Sequence, residues 1–222
     1  LKLNFRSFTD KGLRPSPVTK DSASTVAVVT PWNASKNSAE NIIRSLNTLF
    51  DQFSTNEEST QPFQKMISLS TKENNLRATC MQVNNNIFYQ FNQNEIQMGF
   101  EILFAVKTPN EFSFVQVGNP HVYLARKNFP LQLIGQNASL LADYSNSSLS
   151  APLPHSLLGL FPDLQIHIRS IRLQPEDQII LLSRTFIPPE FLNCSEISLE
   201  NLAEKLSQDQ SSESFWLGQL SF

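Results

Sequence analysis

Phe114-Val115-Gln116-Val117-Gly118-Asn119-Pro120-His121-Val122-Tyr123-Leu124-Ala125-Arg126 is the stretch that decides the fold. Two short runs rich in β-branched and aromatic residues flank a Gly-Asn-Pro turn signal, so two strands meet here. Outward from this point the same grammar repeats. Apolar runs at Phe100 to Val106, Phe112 to Val117, Val122 to Ala125 and Leu131 to Ile134 are separated by Thr108-Pro109-Asn110, Gly118-Asn119-Pro120 and Lys127-Asn128. That pattern predicts consecutive antiparallel hairpins.

Upstream the period changes. Ile42, Ile43, Leu46, Leu49, Phe50 and Phe53 fall on one helical face, with Ser35 or Ser38 placed to cap it. Leu76, Cys80, Val83, Ile87 and Phe91 mark a second amphipathic helix. Leu3, Phe5 and Val26 to Val29 read as early strands separated by a turn-rich loop holding Gly12, Pro15 and Pro17. Downstream, residues 137–154 are rich in Ser, Asn and Leu and read as an irregular excursion. Strands follow near Leu164 to Leu173 and Ile179 to Ser183, then a helix from Leu199 to Leu206 capped by Ser198, then a strand from Phe215 to Phe222. Two helices set early in an antiparallel series give an α+β layered sandwich, read as a single domain over residues 1–222.

Composition excludes several functions. With 40% hydrophobic and 17% charged residues the chain is of the soluble globular class. A formal charge of -3, with no basic residues clustered among aromatics, predicts neither nucleic-acid nor membrane partners. The apolar runs are too short to span a bilayer, and Leu1-Lys2-Leu3-Asn4-Phe5 opens with alternation rather than a signal peptide's apolar region. Six glycines and no glycine-rich phosphate loop argue against nucleotide chemistry.

Only Cys80 and Cys194 are present, which argues against a disulfide scaffold and gives a cytoplasmic expectation. His121, His155 and His167 are too scattered for a zinc site, and His121 and His167 are expected to face water. Nothing near Cys194 supplies a base for nucleophilic catalysis. The four Asn-x-Ser sequons, beginning at Asn33, Asn137, Asn146 and Asn193, are the number chance gives in a chain this rich in Asn and Ser.

Several strings, in order, resemble the metal-dependent protein phosphatases of type 2C, the PPM family. Thr9-Asp10-Lys11-Gly12-Leu13-Arg14 is similar to that family's opening strand and G-x-x-R approach. Asn84-Asn85-Asn86-Ile87-Phe88 ahead of Gly99-Phe100-Glu101 looks like its second helix and G-T-T strand. Phe114 to Arg126 resembles its V-x-x-V-G-D-S-R-x-y-L-x-R segment. Leu157-Leu158-Gly159-Leu160, and then Leu173 through Asp177 to Ser183, resemble its L-G segment and L-x-P-G-D-x-l-l-L-x-S-D-G strand. The resemblance covers nearly the whole chain and implies a four-layer αββα sandwich of two mainly antiparallel sheets flanked by helices.

It also implies a pair of divalent cations held by carboxylates, since hard cations are bound through anionic oxygens. Here this chain departs from the family. The first ligand aspartate falls near Asp21, and D-G-x-G-G falls on Thr30-Pro31-Trp32-Asn33-Ala34. S-D-G becomes Ser183-Arg184-Thr185, and the closing D-N falls near Glu213-Ser214-Phe215. A guanidinium at Arg184 repels a cation and suits pairing with an acid such as Asp21. Arg14 matches the family's phosphate-contacting arginine, either as part of a retained anion site or as an ordinary surface residue. Trp32 and Trp216 either fill the emptied cleft or are ordinary core aromatics. Asp177 is expected to turn the chain into its strand.

The expectation is a catalytically inactive phosphatase-like domain acting as a regulatory or protein-interaction module, with Arg14, Asp21, Thr30, Arg184 and Glu213 as vestigial cleft residues. No catalytic or metal-ligating residue and no cofactor are expected, and the partner is another protein. The alternative is a divergent serine/threonine phosphatase using Mn or Mg with fewer or relocated ligands drawn from Asp21, Asp177 or Glu213.

Overall fold

The computed structural model describes residues 1–8, 16–55, 62–135, 156–183, 189–192, 198–207 and 215–222. The chain opens with strands β1 (Lys2–Phe8), β2 (Val18–Asp21) and β3 (Thr25–Trp32), followed by helices α1 (Lys36–Thr55) and α2 (Thr71–Ile87). A π-helical turn, Phe88–Asn92, extends α2. Strands β4 (Gly99–Thr108), β5 (Glu111–Val117), β6 (His121–Ala125) and β7 (Gln132–Gly135) come next, then β8 (His167–Arg172) and β9 (Gln178–Leu182). Helices α3 (Pro189–Leu192) and α4 (Leu199–Ser207) lead into β10 (Phe215–Ser221).

The strands form two five-stranded sheets ordered β1-β10-β9-β6-β7 and β2-β3-β4-β5-β8. Every strand pair is antiparallel. Central strands such as β4 read as continuous apolar runs because both of their faces are covered. Phe104 and Val106 face α1 and α2, meeting Ile43, Leu46 and Phe50 of the first helix and Leu76, Cys80 and Val83 of the second. Leu103 and Ala105 face the other sheet, where Val122, Ile179, Leu181 and Trp216 wait. On the far side, Tyr123, Ile180 and Leu217 pack against Phe191, Leu202 and Leu206. The result is the expected αββα order of layers.

Local signals set the helix ends. Ser35 Oγ accepts from Ser38 N at 3.1 Å, so of the two expected caps it is Ser35 that starts α1. Ser70 and Glu73 form a reciprocal capping box on α2. Ser198 Oγ accepts from Asn201 N at the start of α4.

Three expectations are corrected. The stretch from β5 to β6 is not a hairpin: β5 lies between β4 and β8, whereas β6 pairs with β7 and β9 in the opposite sheet. Pro120 has no N–H, and Asn119 N is spent on Glu101, so the hydrogen bonds that would start a hairpin ladder are unavailable. Gln116 Nε2 instead donates to Gly118 O and Pro120 O and braces the crossing, which holds a cis Asn119–Pro120 bond. Next, Val18–Asp21, which lie within the stretch expected to be a turn-rich loop, form β2, a short edge strand on β3. Finally, Phe91 is half-exposed and Asn92 is buried, because the π turn adds a residue and shifts the helical phase. The excursion at 137–154 lies outside the described residues.

Candidate functional site

Register brings the C-terminal ends of β3, β5 and β9 and the N-terminal ends of β4, β6 and β10 to one end of the sandwich. Thr30 is opposite Glu101, Ile102 is opposite Val117, and His121 is opposite Leu182. Alternation then sets direction. Thr30 continues the inward series of Val26 and Val28, Glu101 that of Leu103 and Ala105, and Gln116 that of Phe112 and Phe114. These polar side chains therefore face the space between the sheets, where the apolar core gives way to a polar cap.

The cap is buried. Thr30, Glu101, Gln116, Asn119 and Ser183 are each at most 4% exposed. Glu101 Oε1 accepts from Asn119 N at 3.2 Å. Ser183 Oγ accepts from Trp216 N at 2.8 Å, and Ser183 N donates to Trp216 O, locking β9 to β10 at their ends. Gln116 Oε1 and Asn119 Oδ1 are buried with no hydrogen-bond partner among the described residues. Burying a carboxyl group is costly unless it is hydrogen-bonded or paired, and the Asn119 N–H meets part of that need at Glu101.

Asp21 is elsewhere. It lies opposite Val26, four residues before Thr30, or roughly 13 Å along the strand. Its Oδ2 accepts from Leu3 N at 3.3 Å and ties the two sheets together at the other end. Asp177 shares that far end, just before β9. It takes two hydrogen bonds from Arg126, at 3.0 Å from Nε and 2.8 Å from Nη2, and one from Gln174 N at 2.7 Å. Burial pushes its pKa up, but those bonds and the guanidinium charge outweigh burial and hold the carboxyl below its ordinary value. Asp177 is structural, as the sequence suggested. Arg14, Arg184 and Glu213, with His155 and Cys194, lie outside the described residues.

The segment matched to D-G-x-G-G is occupied by apolar packing and amide bonding. Trp32 packs with Leu157 and Leu160 in a small cluster of its own, while Trp216 belongs to the inter-sheet core, 5.6 Å from the Phe5 ring. Asn33, at φ 51°, donates to Gln97 O at 2.6 Å. Next to this cluster, the L-G segment is held by α2. Asn84 accepts from Gly159 N at 2.7 Å and donates to Phe161 O, and Asn92 donates to Gly159 O. Gly159 sits at φ +93°, where a Cβ would come within 2.4 Å of Ile87 Cγ2, so only glycine fits.

Of the remaining expectations, His121 is only half-buried at the start of β6, not solvated. His167 is exposed, and its Nε2 lies 3.2 Å from Ile134 O. Cys80 is a core residue whose thiol burial pushes far up. Glu101 and Gln116 were missed by the sequence reading. The signal for them was a charge and an amide interrupting the inward faces of two otherwise apolar strands.

No protein-family model and no curated protein matches the chain. Solved structures do. The serine/threonine phosphatase Stp1 from Staphylococcus aureus superposes with a TM-score of 0.69 at 13% identity, covering 100% of this chain and 95% of that one. The PPM phosphatase MsPP from Mycobacterium smegmatis, solved with cacodylate, gives 0.66 at 12% identity over 100% and 98%. The catalytic domain of PstP, in complex with 2 manganese ions, gives 0.61 at 14% identity over 98% and 96%.

The PstP structure overturns the expectation of no cofactor, because this fold is one in which a manganese pair is held. The residues described here do not match a two-metal centre. Among them no three His, Cys, Asp or Glu side chains come together, and Glu101 is the only carboxylate placed in the cap. Also among them, no helix is long and apolar enough to cross a membrane. In order of strands, layers and end-to-end coverage, the chain has the fold of the PPM-type serine/threonine phosphatases.

Proposed function

We propose that this chain is a phosphatase-fold domain that does not turn over phosphate esters and acts as a regulatory or protein-interaction module. One observation carries the reading: where the resemblance places D-G-x-G-G, the chain has Thr30, Pro31, a Trp32 packed on Leu157 and Leu160, and an Asn33 bonded to backbone. In-line attack by a metal-activated water needs two cations clamped on the phosphoryl oxygens, and that requires several converging carboxylates. Asp21 and Asp177 are at the far end of the sandwich and serve as structural ties. The partner is another protein rather than nucleic acid or membrane, as the -3 charge and dispersed basic residues favour.

The second reading, a divergent metal-dependent serine/threonine phosphatase, is favoured by the manganese pair in PstP and by Glu101 in the cap. Hydrolysis of p-nitrophenyl phosphate and of a phosphothreonine peptide, with Mn2+ or Mg2+ at millimolar concentration, separates the two. The expected result is release no faster than in protein-free buffer. Metal-dependent turnover that Glu101→Gln abolishes would establish the second reading.

A further inference from the structure

Among the described strands, β1 and β7 are the edges of one sheet and β2 and β8 those of the other. An edge offers main-chain N–H and C=O groups to any chain that can pair with them, so folds shorten, bend or cover it. β2 and β7 are four residues each, the pairing of β7 with β6 shifts register, and β1 has Leu3 N bound by Asp21 Oδ2. β8 differs: its six residues, His167–Arg172, run in unbroken register with β5. Leu173 N donates to Asn110 O just before β5, whereas Arg172 O turns away and accepts from Arg126. Alternation along the strand then directs the N–H and C=O of Ile168 and Ser170 out of the sheet as well, and no described strand lies beyond them.

The side chains add chemistry to this edge. Ile168 and Ile171 stop half-buried at the margins of the two apolar cores, one on the helix side and one between the sheets. Arg169 and Arg172 are exposed, and neither has a carboxylate partner among the described residues. Arg169 donates one N–H to Ile134 O, which leaves its other donors for a ligand. Being three residues apart, the two guanidinium groups stand on opposite faces of the strand. An added strand, whose side chains alternate in the same way, meets both when it carries acids three residues apart. A second copy pairing through β8 would bring no acid at all, because that strand holds neither Asp nor Glu.

We infer that β8 is the docking edge of this domain and takes an extended segment of a partner protein as a sixth strand of its sheet. Two acidic side chains three residues apart meet Arg169 and Arg172, and apolar neighbours cover Ile168 and Ile171. Main-chain bonds give such a complex its affinity and the alternating side chains its selectivity. The inference rests on the protein-interaction half of the proposed function and names its surface and partner chemistry. Turnover of phosphate esters would remove the inactivity and leave this edge, while a failed peptide titration removes the edge and leaves the inactivity.

The test is fluorescence anisotropy of an end-labelled peptide, Thr-Thr-Val-Glu-Thr-Val-Glu-Thr-Thr, titrated with the whole chain. Saturable binding is expected, weakened about tenfold by Arg169→Glu or by Arg172→Glu and unchanged by Arg44→Glu on the surface of α1. A peptide with lysine at both acidic positions should not bind. N-methylation of alternate peptide residues blocks one of its two edges, so one methylated set should abolish binding and the other should leave it intact, a readout that needs no protein variant. No saturable binding by wild type, or binding that both charge reversals leave unchanged, overturns the inference. Binding indifferent to both methylated sets is charge attraction without strand addition and overturns it too. So does a concentration-dependent dimer in sedimentation velocity that Arg172→Glu disperses, since a second copy would then occupy the edge.

Discussion

Asp177 and Arg126 show what a single buried pair does for this fold. The Asp177 side chain is 1% exposed and Arg126 covers it, also donating to Arg172 O, so the turn before β9 is pinned to the end of β6 and to β8. Removing the guanidinium strands a buried carboxylate, so Arg126→Ala is expected to cost about 3 kcal/mol by urea denaturation. The pH dependence follows from the direction of the shift. A carboxyl held below its ordinary value contributes stability that is complete above that value and is lost as pH falls through the folded one. The stability gap between wild type and Asp177→Asn should therefore be widest at pH 6 to 8 and close below about pH 4. A gap that does not change with pH would contradict this role. The pair was legible only in part: Pro175-Glu176-Asp177 signals a turn, but nothing local names Arg126, 51 residues earlier, as its partner.

At the scale of elements, α2 carries more than its apolar stripe. Asn92, on the π turn, donates to Met98 O and Gly159 O and accepts from Gln97 N and Met98 N, so one buried amide closes the helix and holds the L-G segment beside Trp32. Asn92→Ala should lower stability by about 2–4 kcal/mol, measured by thermal and chemical unfolding, because several backbone groups lose a buried partner at once. A cost below about 0.5 kcal/mol, the level of an ordinary surface substitution, would contradict it. Periodicity found α1, α2, α4 and most strands, since each buries one stripe or one alternating face. It missed β2, which is short and follows two prolines. It placed β6 beside β5, because a Gly-Asn-Pro turn marks a reversal without saying which sheet receives the next strand. The π turn was hidden because the contact that accompanies it, Asn92 donating to Gly159 O, is tertiary.

For the molecule as a whole, both sheets contribute to one polar end. The family strings made that end legible, and Thr30 takes its place there. Asp21 does not, because linear matching across residues 9–20 cannot locate a residue that strand register places four positions away along β3. Glu101 escaped notice for the complementary reason: its meaning comes from lying opposite Thr30, a pairing 71 residues apart in sequence. The proposal with the widest consequence is that this chain, with Thr30-Pro31-Trp32-Asn33-Ala34 where the resemblance places D-G-x-G-G, does not turn over phosphate esters. It is tested most directly by hydrolysis of a phosphothreonine peptide by the whole chain at millimolar Mn2+. Release no faster than in protein-free buffer is the expected result. Saturable, Mn2+-dependent turnover, the chemistry of a working two-metal site, would contradict it.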